Sequence, residues 1–288
     1  MYINMNKIYR IVQYIQPWEI DDIERQINQL IKSSYYIENS KNVILDIVLN
    51  LKVVDWDNSK IDCEFFIKKF KYLQTKASNY FTTEFNINTC DGVTAARRNI
   101  LNKKHDYIIW LDSDVFFPIQ ALPYLISATK EIKDVDYILS PQLIRYWDSS
   151  WDCLTADQFL SQPFNHRDFF DVYSLDSIVD GNIYIKKNDK IKFGGGWFNL
   201  FTNSLFQKIG IPEEIGAYGP DDTFISQCSM YLKIPQYILS GIIVTEIGNK
   251  FLQDKDYIKN LLHINILDKE KITDFELYKL IHNFINTH

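Results

Sequence analysis

The sequence predicts an α/β fold in which a mainly parallel sheet carries helices on both faces, within a single domain. Strand-like and helix-like segments alternate through residues 7–118, which favours parallel strands joined by helices. Residues 107–111 (YIIWL) form a continuous apolar run, as expected of a strand buried on both faces. The chain has 288 residues and a hydrophobic content of 46%, which is enough for a substantial core.

The first half of the chain is predicted to contain four strands and three helices. Residues 7–16 form the first strand, and residues 20–31 form a helix because their apolar side chains recur at helical spacing. Asp21 and Asp22 lie in the first turn of this helix, where its dipole favours acids. Predicted strands at 42–51, at 85–89 and up to Asp112 alternate with helices at 62–80 and 92–101.

Composition excludes several classes of protein. The formal net charge of −6 argues against a nucleic-acid-binding protein, which would carry a basic surface. The four cysteines are widely separated, which predicts free thiols in a reducing cytosol. No signal peptide or run of about 18 apolar residues is present, so we expect a cytoplasmic protein. Peripheral attachment to the inner face of the membrane stays open.

Two carboxylates follow directly after the fourth predicted strand. Asp112 and Asp114 are placed at the carboxyl end of a buried strand, where α/β sheets bind ligands. Such a pair suits Mg²⁺ or Mn²⁺. The alternative is that one aspartate caps the helix that Pro118 begins. Three other Asp-x-Asp strings lie in polar surroundings and are interpreted as turn or cap residues, namely Asp55/Asp57, Asp134/Asp136 and Asp254/Asp256.

A pair of arginines precedes the acidic strand. Arg97 and Arg98 lie in the short helix predicted after Gly92. The guanidinium group suits phosphate, because its donors form a planar fork. We expect at least one of the two to face a ligand, and the alternative for the other is a solvated helix face.

Residues 7–118, with GVTAARRN followed by YIIWLDSD, resemble the nucleotide-sugar-binding half of GT-A (Rossmann-like) glycosyltransferases, of the broad kind that includes family 2. The resemblance implies that Asp112 contacts the donor ribose or a metal-bound water and that Asp114 ligates Mn²⁺ or Mg²⁺. It also implies that Arg97 or Arg98 supports the nucleotide, and Gln16 is a further candidate donor-binding residue. The family commonly has V-D-D-G-S after the second strand, whereas this chain reads LNLKVVDWDNS.

The second half begins with a helix predicted at 119–132 and a strand at 137–144. Residues 146–180 then lose clear periodicity and are rich in aromatic side chains, which predicts an acceptor-binding insertion or, for any single Trp, ordinary surface packing. A glycine-rich loop at 194–196 is followed by a helix at 203–209. The turn Gly219-Pro220 then presents Asp221 and Asp222 at the start of another helix, where the alternative role is capping.

This segment is similar to the acceptor side of inverting GT-A enzymes such as the β-1,4-galactosyltransferases. The resemblance implies that Asp222 is the general base and that Asp221 orients the acceptor. Gly195, Gly196 and Trp197 are candidate acceptor-binding residues. Pro220 stands where those galactosyltransferases have Gly. If the mechanism instead retained the configuration of the sugar, Asp222 would only bind sugar.

A third metal ligand and the domain limits complete the prediction. In GT-A enzymes the third ligand often follows the last core strand, predicted here at 237–246, which leaves Glu246 or His263 as the alternatives. The glycosyltransferase domain is placed at 1–250, with a donor half at 1–118 and an acceptor half at 119–250. Residues 251–288 are predicted as a C-terminal helical extension.

The resulting prediction is a metal-dependent glycosyltransferase that uses a nucleotide sugar, with UDP- or GDP-sugars expected. Its acceptor would be a saccharide or glycolipid, as in the biosynthesis of a surface polysaccharide. The alternatives are a sugar nucleotidyltransferase, which needs a glycine-rich loop after the first strand, and a non-catalytic carbohydrate-binding protein.

Overall fold

The computed structural model of the chain describes residues 7–145, 179–188, 197–246, 261–262 and 272–288. Within these ranges, no helix is both long and apolar enough to span a bilayer. The predictions for most of the aromatic insertion, for Gly194 to Gly196, for Cys153 and for His263 lie outside the described residues. The three cysteines within them, Cys63, Cys90 and Cys228, are free thiols.

The described strands form one mixed sheet of nine strands. The strands are β1 Tyr9–Ile15, β2 Val43–Leu49, β3 Thr82–Ile87, β4 Tyr107–Leu111, β5 Val115–Phe116, β6 Ile138–Arg145, β7 Val179–Asn188, β8 Phe198–Thr202 and β9 Gln236–Glu246. Their order in the sheet is β3-β2-β1-β4-β8-β6-β9-β5, and β7 also pairs with β9. Six of these strands (β1, β2, β3, β4, β6 and β9) run in the same direction, while β5, β7 and β8 run against them.

Helices cover this sheet on both faces, as predicted. The described helices are α1 Ile20–Ser34, α2 Cys63–Ser78, α3 Val93–Asn99, α4 Ala121–Ala128, α5 Asn203–Ile209, α6 Asp221–Tyr231 and α7 Asp274–Thr287. Helices α1, α2 and α4 share one hydrophobic cluster with the sheet, and α5, α6 and α7 share a second cluster.

Strand β4 shows why the fold class could be predicted. Ile109 and Leu111 pack into the first cluster, whereas Ile108 and Trp110 pack into the second. All four side chains are at most 1% exposed, since a central strand between two helical layers has no solvated face. Such a strand delivers its last residue, and the acids that follow, to the carboxyl edge of the sheet.

Strand β8 was not predicted. It lies antiparallel between β4 and β6, in the centre of the sheet. Its second residue, Asn199, is fully buried and accepts a hydrogen bond from Ser140 Oγ at 2.5 Å. A buried asparagine beside the glycine-rich loop interrupts the apolar pattern, so the sequence of this segment does not indicate a strand.

A charged network links strands β1, β2 and β3 to the loop after α3. The Arg10 guanidinium donates to Asp46 at 2.8 Å and to Glu84 at 2.7 Å. Lys103 Nζ donates to the same two carboxylates, at 2.6 and 3.0 Å. Arg10 and Asp46 are only 2% and 3% exposed, so each buried charge needs these partners.

Glu84 is expected to make the stability of the fold depend on acid. The hydrogen bond from Arg10 lowers the pKa of Glu84 from 4.5 to about 2, with Lys103 adding to the effect. Since the pKa is depressed in the folded state, this stabilisation is present above pH 4.5 and is lost as the pH falls toward 2. Thermal unfolding of Glu84→Gln should show a lower Tm than the wild type at pH 7, and the difference should vanish near pH 2.

The control for this measurement is Glu64→Gln. Glu64 is an exposed acid on α2 whose partner is Lys68, one turn along the helix. Its replacement should change the Tm little at any pH, because solvent screens an exposed pair of this kind and leaves it little effect on stability. Equal Tm curves for Glu84→Gln and Glu64→Gln would contradict the prediction.

Candidate active site

The D-S-D segment is a turn at the carboxyl edge of the sheet. Asp112 follows β4 directly, and the Val115 amide donates to the Asp112 carbonyl at 3.2 Å. The Asp112 amide donates to the Trp197 carbonyl at 3.0 Å, which continues the β4–β8 pairing to the start of the turn. The Asp112 side chain is 33% exposed and Asp114 is half-buried, so the turn holds both carboxylates near solvent.

Arg97 connects this turn to the second acidic motif. Its Nη2 donates to Asp112 Oδ1 at 2.9 Å, and its Nη1 donates to Asp221 Oδ2 at 3.1 Å. The guanidinium also lies over the Trp110 ring, 4.1 Å from its centroid. The Arg97 side chain is 6% exposed, so it is held by protein groups on both sides of its planar fork. One buried cation therefore joins the two predicted halves of the site.

Asp221 and Asp222 begin helix α6 and have different surroundings. Asp221 is 2% exposed and faces Arg97, whereas Asp222 is half-buried. Asp222 Oδ1 accepts hydrogen bonds from the amide and the hydroxyl of Thr223, at 2.6 and 3.3 Å. Burial raises the pKa of Asp222, and the charge of Asp221 raises it further, against the opposing effect of Arg97. Asp222 is thus a carboxylate of raised pKa and the more accessible of the two.

The loop before α6 rests on the start of α3. The Ala95 amide donates to the Ala217 carbonyl at 3.3 Å, and the Gly219 amide donates to Thr94 Oγ1 at 3.0 Å. A Cβ at Gly92 would lie 2.1 Å from the Ala217 carbonyl oxygen, so only glycine fits this approach. This packing explains how Arg97, from α3, reaches an acid that begins α6.

Arg98 faces away from the two acidic motifs. Its guanidinium donates to the carbonyls of Ile211, Pro212 and Gly216, at 2.9, 2.7 and 3.0 Å. It also pairs with Glu213 at 3.0 Å. Of the two arginines predicted to bind the donor, Arg98 therefore braces the loop of residues 211–216, and only Arg97 lies at the acidic edge.

Two predicted acceptor contacts need correction. The Trp197 side chain is fully buried in the first hydrophobic cluster, so its ring packs in the core and cannot form an acceptor surface. Asp221 is equally inaccessible, because both of its oxygens lie within 3.4 Å of Arg97 Nη1. Gly195 and Gly196 lie outside the described residues, so their predicted role stays a prediction.

The predicted donor side of the edge lies at the ends of β1 and β2. Gln16 Oε1 accepts a hydrogen bond from Asn50 Nδ2 at 3.2 Å. The Glu19 carboxylate accepts a hydrogen bond from the backbone amide of Gln16 at 2.6 Å, and it also accepts one from the hydroxyl of Ser113 inside the D-S-D turn. Gln16 thus lies at the predicted edge, and its role in donor binding stays a prediction. The link from Glu19 to Ser113 was not foreseen.

The third metal ligand stays a prediction. The backbone of Glu246 pairs with that of Val115, one residue beyond Asp114, so the end of β9 reaches the D-S-D turn. His263 lies outside the described residues. Over the part of the chain that the structure describes, no group of three or more His, Cys, Asp and Glu side chains could hold a metal ion. Asp112 and Asp114 offer hard carboxylate oxygens, a donor set that fits Mn²⁺ or Mg²⁺.

The other Asp-x-Asp strings serve local structure. Asp55 accepts a hydrogen bond from Asn58 at 2.7 Å in an exposed turn. Asp134 pairs with Lys187 at 2.8 Å, and Asp136 pairs with Lys208. The string at 254–256 lies outside the described residues. Of the described strings, only the one at Asp112 ends a buried strand.

Comparison with solved structures identifies the architecture. The mannosyltransferase PcManGT from Pyrobaculum calidifontis, in complex with GDP-Man and Mn²⁺, matches with a TM-score of 0.52 and 12% sequence identity over 86% of this chain. GalNAc-T7 with UDP, GalNAc and Mn²⁺ matches with a TM-score of 0.51 and 12% identity over 84% of this chain. The chain spans 59% and 44% of the lengths of these two proteins.

These likenesses establish the fold. Both proteins are glycosyltransferases, and the predicted GT-A arrangement, a mostly parallel α/β sheet in one domain, is confirmed. No protein-family profile matches the sequence, and no curated protein resembles it significantly. At 12% identity the activity, the donor and the acceptor of this chain have to be argued from its own residues.

Proposed function

We propose that this protein is a metal-dependent glycosyltransferase that moves a sugar from a nucleotide-sugar donor to a hydroxyl of a saccharide or glycolipid. The observation that carries the proposal is the bridge from Asp112 through Arg97 to Asp221, with N–O distances of 2.9 and 3.1 Å. It brings an acid pair suited to a metal and a diphosphate next to an acid pair suited to activating a hydroxyl.

The donor is assigned to the edge formed by Gln16, Asn50 and the D-S-D turn. Asp114 would ligate Mn²⁺ or Mg²⁺, while Asp112, already paired with Arg97, is better placed for the ribose or for metal-bound water. A cation bound there would supply Lewis-acid stabilisation of the departing nucleoside diphosphate. UDP- and GDP-sugars are the expected donors.

Asp222 is assigned as the general base. In the proposed step the acceptor oxygen attacks the anomeric carbon as its proton passes to the Asp222 carboxylate. The bond from the anomeric carbon to the diphosphate oxygen breaks on the opposite face, which inverts the configuration. The raised pKa of Asp222 supports this role, because a more basic carboxylate takes up a proton more readily.

The acceptor side is the less defined part of the proposal. Gly195, Gly196 and the aromatic residues of 146–180 are proposed to bind the acceptor. A saccharide or glycolipid acceptor fits the assembly of a surface polysaccharide at the inner face of a membrane. The sugar nucleotidyltransferase alternative is not favoured, because a 3₁₀ helix, Pro17–Glu19, follows β1 in place of a glycine-rich loop.

A donor screen tests the proposal. Thermal unfolding is measured with Mn²⁺ and UDP-, GDP-, CDP- or dTDP-sugars, and the correct donor should raise the Tm because it binds only the folded state. Asp114→Ala should lose the part of the shift that depends on Mn²⁺. The matched control is Asp55→Ala, which alters an Asp-x-Asp string in an exposed turn and should keep the whole shift.

Two results would overturn the proposal. One is that none of the four donors shifts the Tm of the wild-type protein with Mn²⁺ or Mg²⁺. The other is that Asp114→Ala retains the full metal-dependent shift. Replacing Mn²⁺ by Mg²⁺ in the same screen determines which of the two cations supports donor binding.

A further inference from the structure

Helix α1 carries a stripe of polar side chains toward the segment that follows β4. Gln26, Gln29 and Ser33 donate to the carbonyls of residues 112, 115, 117 and 119, at 2.7 to 3.1 Å. In this segment only Val115–Phe116 belongs to a strand, so its carbonyls need partners outside the sheet. Gln26 and Ser33 are 4% and 0% exposed, so these bonds lie inside the protein.

Gln26 closes the D-S-D turn from inside the protein. Its Nε2 donates to the carbonyl of Asp112 at 2.8 Å and to that of Val115 at 2.7 Å. These two carbonyls flank Asp114, the proposed metal ligand. Both hydrogens of the Gln26 side-chain amide therefore donate to the two ends of the turn.

The orientation of this amide is fixed from the other side. Gln13, on β1, donates through Nε2 to Gln26 Oε1. Gln13 is 2% exposed, so this bond is also buried. The carbonyl oxygens of Asp112 and Val115 can only accept hydrogen bonds, so the amide nitrogen of Gln26 has to face the turn. The hydrogen bond from Gln13 to Gln26 Oε1 supports the same orientation.

We infer that Gln26 is a positioning residue for the metal and donor site: it acts through the backbone of the D-S-D turn, without touching substrate. This inference rests on the proposed function and adds a residue to it. A turn held at both ends presents the carboxylates of Asp112 and Asp114 at a fixed separation. Residues that orient metal ligands in this way typically account for ~10–100-fold in metal affinity.

Matched variants separate positioning from general stability. Gln26→Met keeps the length of the side chain and removes both donated bonds. Gln26→Glu keeps its shape and sets a carboxylate oxygen against the two carbonyls. The control is Gln29→Met, on the same helix, which removes the bond to the Phe117 carbonyl, three residues beyond Asp114.

The measurements are the Tm of each variant and its affinity for Mn²⁺, titrated in the presence of UDP or GDP. Both Gln26 variants are expected to bind Mn²⁺ ~10-fold or more weakly than the wild type. Gln29→Met is expected to lower the Tm and leave the affinity for Mn²⁺ unchanged. Loss of stability alone would affect the two positions alike, so the difference in affinity identifies positioning.

Three outcomes would overturn the inference. The first is that the Gln26 variants bind Mn²⁺ as tightly as the wild type, and the second is that Gln29→Met loses affinity to the same extent as they do. A Gln26 variant that does not fold also counts against it, because a positioning role leaves the core intact. If the wild-type protein itself binds no Mn²⁺ with either nucleotide, the proposed function fails and the inference falls with it.

Discussion

Asp222→Asn is expected to lower the rate of sugar transfer by ~10²–10⁴-fold, the usual contribution of general base catalysis. The amide has nearly the shape of the carboxylate but cannot take up a proton at this position. Donor affinity should stay close to that of the wild type, because Asp222 lies at the start of α6 and is assigned to the acceptor side. Single-turnover transfer, or donor hydrolysis where no acceptor is supplied, gives the rate, and the donor-dependent shift in Tm gives the affinity.

The pH dependence of the rate provides the second measurement. The base acts when deprotonated, so the wild-type rate should rise with pH through the raised pKa of Asp222. The residual rate of Asp222→Asn should lack this rise. Thr223→Ala is the control, since it removes a hydroxyl bonded to Asp222 at 3.3 Å and keeps the carboxylate. Loss of donor binding in Asp222→Asn would instead assign Asp222 to the donor side.

The sequence was sufficient to predict the parallel part of the sheet. In β1, β2 and β4 nearly every residue is buried, so these strands are continuous apolar runs in the sequence. The apolar runs and the helical spacing between them therefore predict the same architecture that the packing shows. The third strand was placed too late: it begins at Thr82, although its apolar signal begins only at Phe85. An edge strand with one neighbour needs fewer apolar side chains, and its start is correspondingly hard to locate.

The limits of sequence reasoning are clearest at the site. Aspartates after a buried strand could be located because the strand signal is local. The partners of Arg97 and Arg98 could not be located, because they lie far along the chain. Although the two arginines are neighbours on one helix, Arg97 pairs with Asp112 and Asp221, whereas Arg98 binds the carbonyl of Ile211. Trp197 was assigned to a ligand surface because its loop is rich in glycine, whereas tertiary packing buries it completely.

The sequence of helix α1 contains a signal for this buried polar contact that the prediction did not include. In α1 the apolar positions are accompanied by a second stripe, Asp22, Gln26, Gln29 and Ser33, at the same helical spacing. Polar residues that repeat with the helical period beside an apolar face indicate a buried polar contact line as readily as a solvated one. The choice between them depends on an irregular segment packed against the helix, which the local sequence does not reveal.

Arg97→Met is expected to lower the free energy of unfolding by ~3–5 kcal/mol, because it leaves the buried Asp221 without its cation. Urea denaturation measures this loss. Arg98→Met is the matched control: it removes the neighbouring arginine, whose ionic partner Glu213 is exposed, so no acid is left buried and unpaired. A loss no larger for Arg97→Met than for Arg98→Met would contradict the ion pair's role.

The double variant Arg97→Met/Asp221→Asn separates the stability of this link from its part in catalysis. Removing both buried charges should restore part of the stability, with a coupling free energy of ~0.5–3 kcal/mol between the two positions. Transfer should stay impaired, since Asp112 has also lost the guanidinium bound at 2.9 Å. In Arg97→Met, which keeps Asp221, the residual activity should need a higher pH, because Arg97 lowers the pKa of Asp222 against the effects of burial and Asp221. Full recovery of transfer in the double variant would show that Arg97 only neutralises Asp221, and that the link to Asp112 is not needed for the reaction.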